Sequence, residues 1–398
     1  MFHNTLHRLQ RRLTLFCLAG LLILTLGASQ LGPAHAAPTG NAVVNAPCGE
    51  AEFDEALAFV EDTGGGVITF NCGVATIHFT AHKVITTDVT VDGGGGITLN
   101  GGGVTRLFYV GQTGHLTLRN LILTDGVAVD SINGNYGGAV FVTSGGRLDV
   151  ERSTIRNSHA DLAGGAIIDF QGIVTLTDSV IEANSSNYAA INSTGTLTLI
   201  RTLVRNNTAI VGGGGLSVGG AVSIHESTIE NNSAPQGGAL YVTPSGNVTI
   251  VRTTFTGNRA EAADPDQAMG GAIISYGRLT IEDSTFNGNS AQGHGGALAA
   301  GAGSGEATTT IRGSTFIDNQ AAISGGAIEN RSGPLTIVNS TLSSNGANTG
   351  GAIQNYVGPV EISYTTLVAN TGGTLNQRIR SSSPTTTTWP MTTHALPT

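Results

Sequence analysis

Aromatic residues make up only 5% of this 398-residue chain and charged residues only 11%, less than half the usual share of about a quarter. There are one Trp, 11 Pro and three Cys. Scarce charge combined with ample Val, Ile and Leu excludes general disorder, which needs the opposite balance. Few prolines and no three-residue glycine period exclude a collagen triple helix. Lys83 is the sole lysine, and 18 basic residues face 27 acidic ones. No basic patch is available to hold a phosphate backbone, so nucleic acid is not an expected partner. Two Cys outside the N-terminal run, without clustered His, make a poor metal site, and no cofactor is expected. What the chain has in excess is Gly, 58 residues or roughly twice the usual ~7%. Together with abundant Thr, Asn and Ser, this points to an ordered β protein.

The N-terminal residues have the three-part pattern of an export signal. Arg8, Arg11 and Arg12 precede the apolar run Leu13 to Leu26, and Ala34-His35-Ala36 supplies small residues at the cleavage positions. The run is too short to cross ~30 Å of hydrocarbon as a helix, and no comparable run follows it. Cys17 follows bulky Phe16, which argues against a lipid-attachment site. Residues 1–36 are therefore expected to be a signal peptide. The mature chain would be secreted or cell-surface, with no transmembrane segment. It would keep 15 basic and 27 acidic side chains, a net charge of −12. Only Cys48 and Cys72 would remain, and an oxidising compartment would join them in a disulfide.

From Gly137 onward one phrase recurs: Gly-Gly-Ala-aliphatic, a short alternating run such as Leu-Thr-Ile, then Ser-Thr-apolar-x-x-Asn. The first part starts at Gly137, Gly164, Gly237, Gly270, Gly295, Gly325 and Gly350, with a weaker copy at Gly213 and a degenerate one at Tyr188-Ala189-Ala190-Ile191. The second places an apolar residue three before Asn184, Asn206, Asn232, Asn258, Asn289, Asn319, Asn345 and Asn370. A period near 26 residues with three short β-type segments per repeat leaves no room for a helical arc or for a propeller blade. One repeat cannot bury its apolar side chains alone. Stacking each segment on its equivalent in the next repeat does so, and the right-handed sense of parallel crossovers then gives a right-handed parallel β-helix of about ten coils. The paired glycines supply tight corners. The asparagines are expected to stack in one hydrogen-bonded column.

Residues 46–110 differ. Phe53, Leu57 and Val60 lie on one face of a helix predicted over Glu50 to Asp62, which Gly64-Gly65-Gly66 stops. Such a helix would cover the open first coil, whose edge is otherwise a template for aggregation, and Cys48 and Cys72 would tie it down. The expected organisation is a signal peptide at 1–36, an N-terminal cap at 37–63, the β-helix at 64–373 and a Ser/Thr/Pro-rich disordered tail at 374–398.

The paired phrases Gly-Gly-Ala-[Ile/Leu/Val] and Phe-x-x-Asn, the latter with Phe itself at Phe255, Phe286 and Phe316, resemble the repeats of chlamydial polymorphic outer membrane proteins. They are also similar to secreted bacterial β-helix proteins of the pectin-lyase-like fold. The resemblance implies the fold across about 137–373. It leaves activity open, because enzymes, adhesins and structural proteins share such coils. The residues after Asn370 are too few for the membrane β-barrel that ends polymorphic outer membrane proteins.

The expected function is a non-catalytic, structural or adhesive rod, with no catalytic residue assigned. Its partner would be a surface glycan, another cell surface or a second copy of itself. The low aromatic content argues against sugar-stacking platforms. The alternative is a lyase or hydrolase acting on acidic polysaccharide. Gly293-His294-Gly295 matches a motif of such hydrolases, but Gly295 already belongs to the repeat, and no paired aspartates precede it. Asp264 and Asp266 lie in a loop, Ala260 to Met269, that reads as a tolerated insertion. Arg152, Asp178, Arg201, Glu226, Arg252 and Asp283 recur at one repeat position with alternating sign, and are expected to form an outward ladder of ion pairs.

Overall fold

The computed structural model describes residues 40–128, 135–301 and 307–373, together with the backbone of short strands at Leu375–Asn376, Arg380–Ser381 and Thr386–Thr388. The expected signal peptide lies outside the described residues. Each repeat folds into one coil. Around residue 250, Asn247–Val251 and Thr254–Thr256 join a broad 25-stranded sheet, and Arg259–Ala260 joins an eight-stranded sheet. Ile273–Ser275 then enters a twelve-stranded sheet. Every interstrand pairing within the coils is parallel, and each strand pairs with its equivalent one repeat away, as between Asn247–Val251 and Arg278–Glu282. The chain is a right-handed parallel β-helix. Its twelve rungs exceed the expected ten because the early coils, such as Lys83–Ile85 pairing with Phe108–Val110, stack without carrying the repeat phrase. At about 4.8 Å per rung the stack runs for roughly 50 Å.

Alternation puts the β-branched and aliphatic side chains inside. Val248 and Ile250 are buried while Thr249 between them is not, as a strand with one buried face requires. Phe255, Phe286 and Phe316 occupy one register and stack face to face, with centroids 4.8 and 4.5 Å apart and planes within 4°. Coils of three to five residues per side leave little apolar area each, so the inward stacks, rather than any single coil, hold the core together.

Two polar columns run through the corners. In the first, the backbone N–H of Asn232 donates to Asn258 Oδ1 (3.0 Å), Asn232 Nδ2 donates to the same oxygen (3.1 Å), and also to the Val204 carbonyl (3.0 Å). The pattern repeats through Asn184, Asn207, Asn232, Asn258, Asn289, Asn319, Asn345 and Asn370, all buried. Asn206, expected in this column, is not in it. Val204, not Leu203, faces inward in that coil and pairs with Ile181, which shifts the column to Asn207 and leaves Asn206 exposed in a left-handed turn. In the second column, hydroxyls of Ser179, Ser227, Thr253, Ser284, Ser314, Ser340 and Thr365 each accept a backbone N–H from the coil before.

The charge series also shares one turn. Arg152, Asp178, Arg201, Glu226, Arg252 and Asp283 all have φ between 46° and 51°. Arg201 pairs with Asp178 and Arg252 with Glu226, each at 2.7 Å. Arg152 instead turns back to Asn120 Oδ1 (3.0 Å) and Glu151 (3.7 Å), so the series forms two closed pairs rather than a continuous ladder. A second alternating column, Arg156, Glu182, Arg205 and Glu230, lies one strand on, with Arg205 2.7 Å from Glu182.

The N-terminal cap follows the sequence closely. Helix α1 spans Glu50–Asp62 and buries Phe53, Ala56, Leu57 and Val60. Phe53 sits 5.0 Å from Phe79 of the first coils. Cys48 and Cys72 are joined, with Cα atoms 6.0 Å apart. The sole lysine has a use the composition did not reveal: Lys83 Nζ, almost fully buried, lies 2.6 Å from both Glu50 and Asp54 of α1 and over the Phe79 ring. At the other end, the strand ladders run past the boundary expected at 373, because β-branched Thr386–Thr388 pairs with Thr366–Val368. This part of the expected tail is thus drawn into the stack.

Two outcomes follow for stability. Asn258→Ala strips an acceptor from two donors of Asn232 and a donor from the Ile229 carbonyl, and should cost about 2–4 kcal/mol in denaturant unfolding, whereas Asn206→Gly should change stability by less than about 0.5 kcal/mol. Desolvation pulls the Glu50 carboxyl upward, but hydrogen bonds from Lys83 and Thr80 outweigh it and hold the group down at about 2. A carboxyl depressed in the folded state stabilises above its unfolded value of 4.5 and loses that contribution as pH falls towards 2. Thermal midpoints measured from pH 6 to pH 2 should therefore fall less steeply over that window in Lys83→Met than in the parent, on a baseline lowered by about 1–2 kcal/mol.

Candidate functional site

The strands of the twelve-stranded sheet are three residues long in most coils, so their first and third side chains point into the core and the middle one points out. Stacking aligns those middle residues into a floor: Tyr109, Phe141, Ile168, Asn192, Ser217, Tyr241, Ile274, Ala299, Glu329 and Gln354. The residues just before each Gly-Gly-Ala phrase form one wall, as the bridges linking Gln236, Met269, His294 and Ser324 show. The residues just after each strand, among them Phe170, Thr194, Thr243, Tyr276, Arg331 and Tyr356, form the other. The result is a trough along the outer face, with its own apolar clusters separate from the core. In five coils the inward third residue is polar: Asp169, Ser193, Ser275, Asn330 and Asn355. Burial pushes the Asp169 carboxyl up, and it accepts the Ser193 hydroxyl (2.7 Å) and the Gly172 N–H (2.6 Å).

The few aromatics are not scattered. Six of the seven tyrosines, at 109, 136, 188, 241, 276 and 356, lie in this trough. The sparse rings are gathered onto one face, which the composition alone does not reveal. At the N-terminal end Tyr109 stacks on Phe141 (5.2 Å, 18°), and Phe141 packs against Phe170 with the rings tilted (5.4 Å, 53°). The buried Arg106 guanidinium lies over Phe141 at 5.1 Å and donates to the Gly137 and Tyr136 carbonyls.

Midway the trough opens into a cleft of about 400 Å³. Tyr188, Val211 and Gln236 line one wall, Asn192, Ser217 and Tyr241 the floor, and Thr194, Gly219 and Thr243 the other wall. Tyr276 donates to Gln236 Oε1 at 3.2 Å and lies 5.2 Å from Tyr241.

Towards the C-terminal end the trough becomes ionic. His294 Nδ1 lies 2.8 Å from Ser324 Oγ and 3.0 Å from Glu329 Oε2, and Ser324 donates to the same carboxylate oxygen. Arg331 approaches Glu329 Oε1 at 3.3 Å, and Asp266 lies 3.7 Å from His294 Nε2. The Gly-His-Gly motif points to His294, and Asp283 is the acid nearest to it along the chain, 11 residues away. Stacking instead brings Glu329 and Asp266 to the ring, from 35 and 28 residues away, while Asp283 stays in the charge column of the broad sheet. Glu329 was not anticipated. Its signal was an acid at the middle strand position of Gly-Gly-Ala-Ile-Glu-Asn, where other coils place apolar or neutral residues. Its carboxylate is 0% exposed: Oε2 takes the Ser324 hydroxyl beside His294, while Oε1, buried without a hydrogen bond, faces Arg331. Buried this way it holds the His294 ring and the Arg331 guanidinium beside it. Among the described residues no group of three or more His, Cys, Asp or Glu is placed to hold a metal ion.

Residues 189–371 match the family model described as a right handed beta helix region. One similar solved structure is the crystal structure of PfbA, a surface adhesin of Streptococcus pneumoniae, at 10% identity and a TM-score of 0.46, covering 81% of this chain and 87% of that one. No curated protein sequence matches significantly.

The ionic end offers a direct check of its wiring. Arg331→Met leaves Glu329 buried beside one cation fewer and should destabilise the fold by about 2–4 kcal/mol. Adding Glu329→Gln should recover at least about 1 kcal/mol of that loss in a double-mutant cycle.

Proposed function

We propose that the chain is an exported, non-catalytic β-helical rod of the cell surface that holds an extended ligand along the trough of its twelve-stranded sheet. The carrying observation is the alignment of six tyrosines with amide and hydroxyl side chains on one outer face of an otherwise aromatic-poor molecule. A core purpose does not account for it, since these rings lie outside the main core. Export is supported by the Arg-rich, apolar, small-residue pattern of residues 1–36 and by the Cys48–Cys72 bridge, a feature of oxidising compartments. No helix among the described residues is long and apolar enough to cross a membrane. A rigid face repeated every ~4.8 Å suits a polymer, whose own repeat can meet successive rungs.

The polysaccharide-cleaving reading has one observation in its favour, the placing of Asp266 and Glu329 on opposite nitrogens of His294. General acid–base cleavage of a glycosidic bond needs two carboxyls that flank the scissile bond. Glu329 is sealed beneath its neighbours, so only Asp266 faces outward.

The test is adsorption of the purified mature chain to insoluble cell-surface polysaccharide, with release of reducing ends followed in the same tubes. The parent should adsorb without releasing ends, and Val211→Arg, which plants a long cation in the cleft wall, should abolish adsorption while keeping the thermal midpoint. Unchanged adsorption by Val211→Arg would remove the trough from the account. Release of reducing ends that disappears in His294→Ala would establish the enzyme.

A further inference from the structure

The three stretches of the trough differ in chemistry, and the cleft in the middle narrows the kind of ligand that fits. Its lining carries no carboxylate, no guanidinium, no ammonium and no imidazole. The ionisable groups nearest at hand are tyrosine hydroxyls. Burial pushes Tyr241 up and Tyr276 up to about 12, so both remain neutral hydrogen-bonding groups at any physiological pH. A charged sugar placed here would give up water without meeting an opposite charge, a costly exchange. The formal charge of the whole chain, −9, adds long-range repulsion against polyanions.

What the cleft does offer is balanced donors and acceptors beside exposed ring surface. Tyr188, 43% exposed, and Tyr241 present aromatic surface from adjoining wall and floor. Asn192 makes no side-chain hydrogen bond among the described residues, so its amide has both a donor and an acceptor to give. Gln236 has its oxygen held by Tyr276, which leaves its N–H groups to donate. Ser217 and Thr243 add hydroxyls that serve either way. A saturated ring with many hydroxyls and no net charge matches this set, using its C–H face on tyrosine and its hydroxyls on the amides. The cleft volume of about 400 Å³ lies within the ~300–1,000 Å³ of ordinary small-ligand sites.

We infer that the cleft between Tyr188 and Tyr241 is a binding subsite for an uncharged oligosaccharide segment, selecting neutral over uronic-acid glycans. This deepens the proposed function and rests on the trough being the ligand face.

The experiment uses the mature chain and isothermal calorimetry with short oligosaccharides of glucose, mannose, xylose and galactose, alongside oligogalacturonate. At least one neutral oligosaccharide should bind, with affinity nearly independent of salt. Tyr188→Ala and Gln236→Leu should each weaken that binding roughly tenfold or more, while keeping the parent unfolding midpoint. Asn192→Asp, which adds a charge without adding bulk, should weaken it as well. Binding of oligogalacturonate alone, or of no neutral probe, overturns the inference. So does neutral binding that all three variants leave unchanged. The two levels separate cleanly. If Val211→Arg abolishes adsorption to the polymer but only oligogalacturonate competes for it, the trough stands and the neutral assignment falls. If Val211→Arg adsorbs as the parent does, the ligand face itself is wrong.

Discussion

Each coil turns corners that point backbone N–H groups into a buried interior. Leaving such a donor unpaired costs about 1–3 kcal/mol, and the cost recurs in every coil. The molecule meets this constraint with two buried columns, one of Asn amides and one of Ser and Thr hydroxyls, in which each residue takes the N–H of the coil before it. Because an Asn offers its acceptor to one neighbour and its donors to others, the column locks each coil to the next in a single register. The apolar stacks of Phe255, Phe286 and Phe316 then superpose with their planes nearly parallel. The remaining geometry follows from that lock.

The trough is one consequence. Floor and walls are not made by any local motif. They are three columns of single residues, each spaced one coil apart, and they line up only because the register is fixed elsewhere. A one-residue slip would turn every floor residue into the core and every core residue outward. Length variation among repeats is absorbed in the turns: the coil with Asp264 to Gln267 places its extra residues in a short 3₁₀ turn beside the trough wall, and Met269 still reaches the apolar cluster with Ile274 and Ala299.

The sequence made the coils, the cap and the disulfide readable because each rests on a repeated or compositionally rare residue. It was ambiguous where two frames satisfied the same pattern. Leu203-Val204 and Asn206-Asn207 both fit an apolar residue three before Asn; the corner hydroxyl of Thr202, two before Val204 as Ser227 is two before Ile229, decides between them. The trough was less readable for a physical reason. In a β-helix, neighbours in space stand about one period apart in sequence, so Glu329 reaches His294 while acids closer in the chain do not. Sparse tyrosines likewise look unremarkable in a linear count, since their concentration on one face appears only after the stack is formed. The charge series was legible in position and sign but not in pairing, because Arg152 found Asn120 and Glu151 on its other side.

The measurement that bears most directly on this account is native-state amide hydrogen exchange resolved to single residues. If the Asn column locks the coils, the backbone N–H groups of Asn207, Asn232, Asn258, Asn289 and Asn319 should exchange only with unfolding of the whole stack. They should share one free energy with the buried floor amides of Ser217, Ile274 and Ala299. Column amides that exchange early and separately, while the floor amides stay protected, would show that the trough is held in register by something other than the asparagines.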